Sequence, residues 1–116
     1  MGVTCGAAAA PAISSNGKTL NASVRERGLS FFFAPHRLTI RRGDRVRWRW
    51  CPDTRGCSTE HNVVGFLNHR VKFKHPRNAS VTRGVLSGSY VHRFTRAGTY
   101  RVVCTIHGFS MRVKVT

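Results

Sequence analysis

Three residues with metal-binding side chains lie close together near the C-terminus: Cys104, His107 and Met111. Thiolate and thioether sulfurs are soft ligands and an imidazole nitrogen is intermediate, a combination that favours copper. Zinc usually takes four strong ligands in a tetrahedron and has little use for methionine. A copper centre of two imidazoles, one thiolate and a distant thioether needs one more histidine. His61, which begins a predicted strand after a polar loop, is the best candidate.

The elements that must position these residues are β-strands, predicted where apolar and polar residues alternate. Cys104 ends the predicted strand Gly98 to Cys104 on its apolar face, and Met111 begins the strand Met111 to Thr116 on its apolar face. His107 lies in the loop between them. Because side chains alternate between the two faces of a strand, both sulfurs are expected to point inward. The three ligands can then meet at one end of a sandwich.

The same alternation predicts an all-β protein. Its clearest strand runs from Arg45 to Trp50, with Val46, Trp48 and Trp50 on the core face and arginines on the opposite face. Further strands are predicted at Leu29 to Phe33, Leu38 to Ile40, His61 to Phe66 and Ser89 to Thr95. Asn68 to Gly84 shows no firm pattern, and no convincing amphipathic helix is found.

The 116 residues suffice for one domain with a modest core. Residues 18–116 are expected to form it. Residues 1–17 are small, mainly apolar and uncharged, and are interpreted as a flexible N-terminal tail or a signal-peptide remnant. No apolar run is long enough for a transmembrane segment.

Cys51 and Cys57 flank a short segment that a disulfide could close. A disulfide would indicate an oxidising compartment. Two free thiols or a metal site are the alternatives.

The charge balance is strongly basic, with 20 Lys and Arg against 4 Asp and Glu and a formal net charge of +16. Such a charge attracts anionic partners and keeps molecules apart in solution, so a monomer is expected. Nucleic acid is disfavoured as a partner, because Trp48 and Trp50 lie on the core face and leave no evident platform for base stacking. No catalytic arrangement such as a Ser-His-Asp triad stands out, and an enzyme is not expected.

Four segments resemble, in the same order, the cupredoxins of the plastocyanin, amicyanin and azurin group. The matching segments are Gly43 to Trp48, His61 to Val63, Phe94 to Tyr100 and Cys104 to Met111. The resemblance covers residues 29–116 and implies a Greek-key β-sandwich of about seven to eight strands. The two-residue gap between Cys104 and His107 is that of plastocyanin and amicyanin. The three-residue gap from His107 to Met111 differs from the usual gap in both and looks like azurin's.

The resemblance implies a role for each candidate ligand. His61, Cys104 and His107 would be the strong ligands of one type 1 copper ion, and Met111 would be the weak axial ligand.

The resemblance also implies roles for residues around the ligands. Asn62 would hold the ligand loop by hydrogen bonding near Thr105. Electrons would enter and leave along the ring of His107. Gly108 and Phe109 would contribute to the apolar patch where a redox partner docks.

These features predict a blue copper protein that carries single electrons between redox partners outside the cytoplasm, in the periplasm, at the cell surface or after secretion. The partner is expected to be acidic at its docking surface. The alternatives are a copper storage or delivery module, and a cationic β-domain that binds an anionic partner. Of the remaining histidines, His36, His69 and His75 are interpreted as solvated loop residues, and His92 as a strand residue with a local partner.

Overall fold

The computed structural model describes residues 17–28, 30–51 and 57–116. These residues form nine β-strands, so the all-β prediction is confirmed with more strands than expected. The strands are β1 (Thr19–Arg27), β2 (Ser30–Ala34), β3 (Arg37–Ile40), β4 (Arg45–Trp50), β5 (Val63–Leu67), β6 (Arg70–His75), β7 (Gly88–Arg93), β8 (Gly98–Val103) and β9 (Ser110–Val115). Within the described ranges, no helix has the length and hydrophobicity needed to cross a membrane.

The strands form two sheets. The first has the order β2-β1-β4-β7, and the second has the order β3-β9-β8-β5-β6. β1 runs parallel to β4, and β3 runs parallel to β9, whereas the other neighbours are antiparallel. Each sheet therefore combines strands from distant parts of the chain, and its inner face can cover the other sheet.

The core follows the predicted alternation. Trp48 and Trp50 on β4 are 0% and 2% exposed, while Arg49 between them is exposed. Cys104 and Met111 are 0% and 2% exposed. The prediction that both sulfurs point inward is thus confirmed, and it places them where water is excluded.

The turn before β4 is held by Asp44. Its carboxylate accepts hydrogen bonds from the backbone N–H groups of Lys18 and Arg41, at 2.9 and 3.0 Å. The bond from Arg41, together with that from Lys18, lowers the pKa of the Asp44 carboxyl against the opposing effect of burial. Gly43 has a φ of 96°, a conformation that glycine adopts without steric cost. The turn ties the start of β4 to the start of β1.

Two strands have no counterpart in the sequence-based prediction. β1 has small inward residues and ends in the charged sequence Arg25-Glu26-Arg27, so its apolar alternation is weak. β6 lies inside the stretch Asn68 to Gly84, at a sheet edge, and Phe73 is its one buried residue. A strand with so few buried residues shows little alternation of apolar and polar residues. Pairing with the neighbouring strands stabilises it.

Candidate metal centre

The loop between β8 and β9 carries two of the predicted ligands. The N–H of Gly108 donates to the carbonyl of Cys104 at 2.7 Å, and the N–H of Cys104 donates to the carbonyl of Phe109 at 2.9 Å. Gly108 has a φ of 81°, which favours glycine and lets the loop turn back. The Nδ1 atom of His107 consequently lies 3.6 Å from the sulfur of Cys104.

The third predicted ligand, His61, comes from the connection between β4 and β5. It is held by a two-way backbone bridge to Val85, with N–H to carbonyl distances of 3.0 and 2.9 Å. A Cβ atom on Gly84 would overlap the carbonyl of His61, so a glycine is needed for this approach. The bridge directs the His61 ring inward, and its Nδ1 lies 3.8 Å from the sulfur of Cys104.

The ligand atoms of His61, Cys104 and His107 all lie within 4.8 Å of one another. Nitrogen and sulfur ligands bonded at about 2.1 and 2.3 Å to one ion are about 3.6–3.8 Å apart at angles of about 110–120°. The observed nitrogen-to-sulfur distances match this spacing. His61 and Cys104 are 1% and 0% exposed, whereas His107 is half-buried. The cluster thus fits an ion that binds imidazole and thiolate ligands. His107 is the ligand that lies nearest to solvent.

Met111 lies beside this cluster in sequence but is held differently from the histidines. It pairs with Val102 in the register of β9 and β8. Its sulfur accepts a hydrogen bond from the indole nitrogen of Trp48 at 3.2 Å. The thioether is therefore buried on the predicted inward face, and one of its lone pairs is already engaged.

Asn62 connects three segments around the cluster. Its side-chain oxygen accepts the backbone N–H of Thr105 at 2.8 Å, and its amide nitrogen donates to the Thr105 hydroxyl at 2.9 Å. The same nitrogen lies 3.0 Å from the carbonyl oxygens of Ser80 and Arg83. Asn62 is 0% exposed. This network joins the residue after His61 to the residue after Cys104, so it restrains the distance between two ligand segments.

Comparison with known proteins identifies the family. The profile described as copper binding proteins of the plastocyanin/azurin family matches residues 19–116. This chain is a cupredoxin of the plastocyanin/azurin family. Its cofactor is one type 1 copper ion, in agreement with the His-Cys-His cluster.

Solved structures share the cupredoxin fold at low sequence identity. An oxidized amicyanin variant is 22% identical, with 84% of this chain and 82% of that chain covered and a TM-score of 0.60. A purple cupredoxin from Nitrosopumilus maritimus is 23% identical, with 84% and 99% covered and a TM-score of 0.59. A fern plastocyanin variant is 18% identical, with 83% and 99% covered and a TM-score of 0.59. No curated protein matches the chain in sequence.

In this cupredoxin, Phe31 and Glu26 are among the residues that contact the cluster without having been predicted to do so. The ring of Phe31 lies 5.1 Å from that of His61 and 4.5 Å from that of His107, between ring centroids. The carboxylate of Glu26 lies 3.1 Å from Nε2 of His61. The apolar run at residues 31–33 indicates a buried strand, but it does not indicate that Phe31 contacts the two histidines. Glu26 carries no local signal, because its contact depends on where β1 lies.

The predicted docking residues lie next to the more exposed histidine. Gly108 is exposed and Phe109 is half-buried. The Phe109 ring lies 6.3 Å from His107 and 4.8 Å from Phe33. The other imidazole nitrogen of His107 lies 3.5 Å from the hydroxyl of Thr59. The surroundings of His107 therefore combine aromatic and small polar groups.

The histidines outside the cluster are placed largely as predicted. His36 and His69 are exposed, and His92 lies in β7 with its ring 3.9 Å from that of Phe73. The interpretation of His75 as a solvated loop residue is wrong. It ends β6 and is half-buried, with its ring stacked on Tyr90 at 5.1 Å, because the two sheet edges meet there.

Cys51 and Cys57 are placed as a disulfide pair, and their Cα atoms are 5.8 Å apart, a usual disulfide separation. Among the described cysteines, Cys104 is the free one, and it is buried. The residues between Cys51 and Cys57, and the predicted tail up to residue 16, lie outside the described part of the chain.

Proposed function

We propose that this cupredoxin is a blue copper electron carrier that passes single electrons between redox partners outside the cytoplasm and catalyses no reaction alone. The observation that carries the proposal is the buried Cys104 sulfur with imidazole nitrogens at 3.6 and 3.8 Å. Bound copper supplies a one-electron couple between Cu(II) and Cu(I). His61, Cys104 and His107 would hold the ion, and Met111 would be a weaker fourth ligand.

The surrounding residues support rapid electron transfer by restraining the ligands. Cu(I) and Cu(II) favour different geometries, so a site that lets its ligands move would have to reorganise at each transfer. Asn62 ties the two ligand segments together through Thr105, and the Val85 bridge fixes the backbone of His61. Such restraints around the ligands hold them in one orientation.

The surface around His107 is the proposed docking site. The His107 ring is the ligand that reaches toward solvent, and Gly108 and Phe109 flank it. A formal net charge of +16 attracts an acidic surface and accelerates encounter at low salt. The proposed partner is therefore a redox protein with an acidic docking surface, and the carrier acts as a monomer.

The proposed compartment rests on the disulfide. The pairing of Cys51 with Cys57 suits an oxidising compartment. An extracytoplasmic location, whether periplasmic, cell-surface or secreted, follows from that chemistry.

The decisive experiment adds Cu(II) to the copper-free protein and records visible and electron paramagnetic resonance spectra. An intense thiolate-to-copper band with a small hyperfine splitting is expected. The Cys104→Ala variant should lose the band, whereas Cys5→Ala, which changes a cysteine of the predicted tail, should keep it. A pale spectrum of tetragonal copper would contradict the proposal. A slow electron self-exchange rate would instead favour a copper store with the same ligands.

A further inference from the structure

Glu26 places a carboxylate against a copper ligand in a chain that has only four acidic residues. Along β1, it lies on the same face as the buried Ala22 and Val24, at the exposed end of the strand. Its Oε2 atom lies 3.1 Å from Nε2 of His61. The side chain of His61 is 1% exposed and that of Glu26 is 24% exposed. Solvent therefore reaches the carboxylate of Glu26, whereas the imidazole of His61 is shielded from it.

The contact determines which nitrogen of His61 carries the proton. A carboxylate accepts hydrogen bonds, so Nε2 must be the protonated nitrogen in the neutral ring. Nδ1 then presents its lone pair, and it is the atom that lies 3.8 Å from the sulfur of Cys104. A hydrogen-bond acceptor on the nitrogen that does not bind the metal orients the histidine ring and makes the other nitrogen a stronger ligand.

Glu26 is itself held in place. The hydroxyl of Ser58 donates to its Oε1 atom, while Oε2 faces His61. Both oxygens of the carboxylate are thus engaged, and its negative charge is kept beside the ligand.

We propose that Glu26 is a positioning residue that sets the tautomer of His61 and lowers the reduction potential of the bound copper. A fixed negative charge favours the more positive Cu(II) over Cu(I), and Glu26 places such a charge in contact with the ligand His61. The influence on the potential rests on the proposed electron-carrier function, whereas the tautomer assignment applies to the copper-free protein as well.

Two substitutions separate charge from hydrogen bonding. Glu26→Gln keeps the shape and a hydrogen-bond acceptor but removes the charge, and we expect the measured reduction potential to rise. Glu26→Ala also removes the acceptor. We expect nitrogen NMR spectra of the copper-free proteins at mildly alkaline pH to show one Nε2-protonated tautomer of His61 in the wild type. In Glu26→Ala, we expect a mixture of the two tautomers.

Glu60→Gln is the matched control, because it removes the same charge one residue from His61 on an exposed side chain. An equal rise in potential for Glu60→Gln and Glu26→Gln would overturn the proposed effect on the potential. A single Nε2-protonated tautomer in Glu26→Ala would overturn the positioning role. If the wild-type protein lacks a type 1 spectrum but the tautomer depends on Glu26, the electron-carrier proposal fails and the positioning role stands.

Discussion

The indole nitrogen of Trp48 donates a hydrogen bond to the thioether sulfur of Met111 over 3.2 Å. The two residues lie in different sheets, on β4 and β9, so the bond crosses the core. They are 0% and 2% exposed. Because the indole engages one lone pair of the sulfur, it should weaken the thioether as the proposed fourth ligand of copper.

We expect Trp48→Phe to lower the reduction potential. Phenylalanine fills much of the same space but cannot donate, so the sulfur of Met111 becomes a better donor to copper and stabilises Cu(II). The lost volume should cost about 1–3 kcal/mol in stability. Voltammetry and visible spectroscopy of the copper-loaded variant measure the effect. Tyr100→Phe is the control, since that buried ring donates through its hydroxyl to the carbonyl of Arg96 and to no residue that holds a ligand. Equal shifts in the two variants would contradict the role of the Trp48 bond.

Asn62→Ala should destabilise the protein through the loss of a buried network. The backbone N–H of Thr105 loses its partner, and the carbonyl oxygens of Ser80 and Arg83 lose a donor. Leaving such buried groups unpaired costs about 2–4 kcal/mol in the free energy of unfolding. Chemical denaturation of the copper-free protein measures this. Asn78→Ala changes an exposed amide and should stay near wild type; a comparable loss there would show that the network is not responsible.

The stability of the copper-free protein should fall as the pH falls from about 6.5 toward 4. Burial lowers the pKa of His92 to about 4. The unfolded chain therefore binds a proton on this histidine at a higher pH than the folded chain does, which favours unfolding across that window. A shift of this size corresponds to about 3 kcal/mol, but solvent reaches the ring and screens it, so we expect about 1 kcal/mol.

The variant His92→Phe tests the assignment. It keeps a ring against Phe73 and removes the titrating group, so the stability profile should become flatter between those pH values. His36→Gln, which changes an exposed histidine, should keep the wild-type profile. Denaturation at a series of pH values gives both curves, and parallel curves for wild type and His92→Phe would exclude His92 as the cause.

Replacing both Cys51 and Cys57 by serine should reduce stability without changing the copper spectrum. A disulfide that closes a loop this short contributes about 2 kcal/mol by restricting the unfolded chain. Neither sulfur belongs to the ligand cluster, so the visible band should persist. Added thiol reductant should destabilise the wild type but leave the serine variant unaffected. A loss of the band would show that the disulfide loop also shapes the metal site.

Features that depend on local backbone geometry could be predicted from the amino-acid sequence. The side chain direction reverses at every residue of a strand, so the inward direction of Trp48, Cys104 and Met111 could be predicted from alternation. The short spacing between Cys104 and His107 likewise predicts that they share a site. The matching segments added His61, and with it the pairing of Asn62 with Thr105, through resemblance to a family.

The contacts between residues that are distant in sequence could not be predicted in this way. Glu26 reaches His61 across 35 positions of sequence, and Trp48 reaches Met111 across 63. Both contacts depend on the order and register of strands in two sheets, which no single segment encodes. β1 and β6 were not predicted for the same reason. Their few buried residues give little alternation in the sequence, and pairing with neighbouring strands stabilises them. The cluster could thus be predicted from the chain, whereas the groups that tune it follow from how the sheets pack.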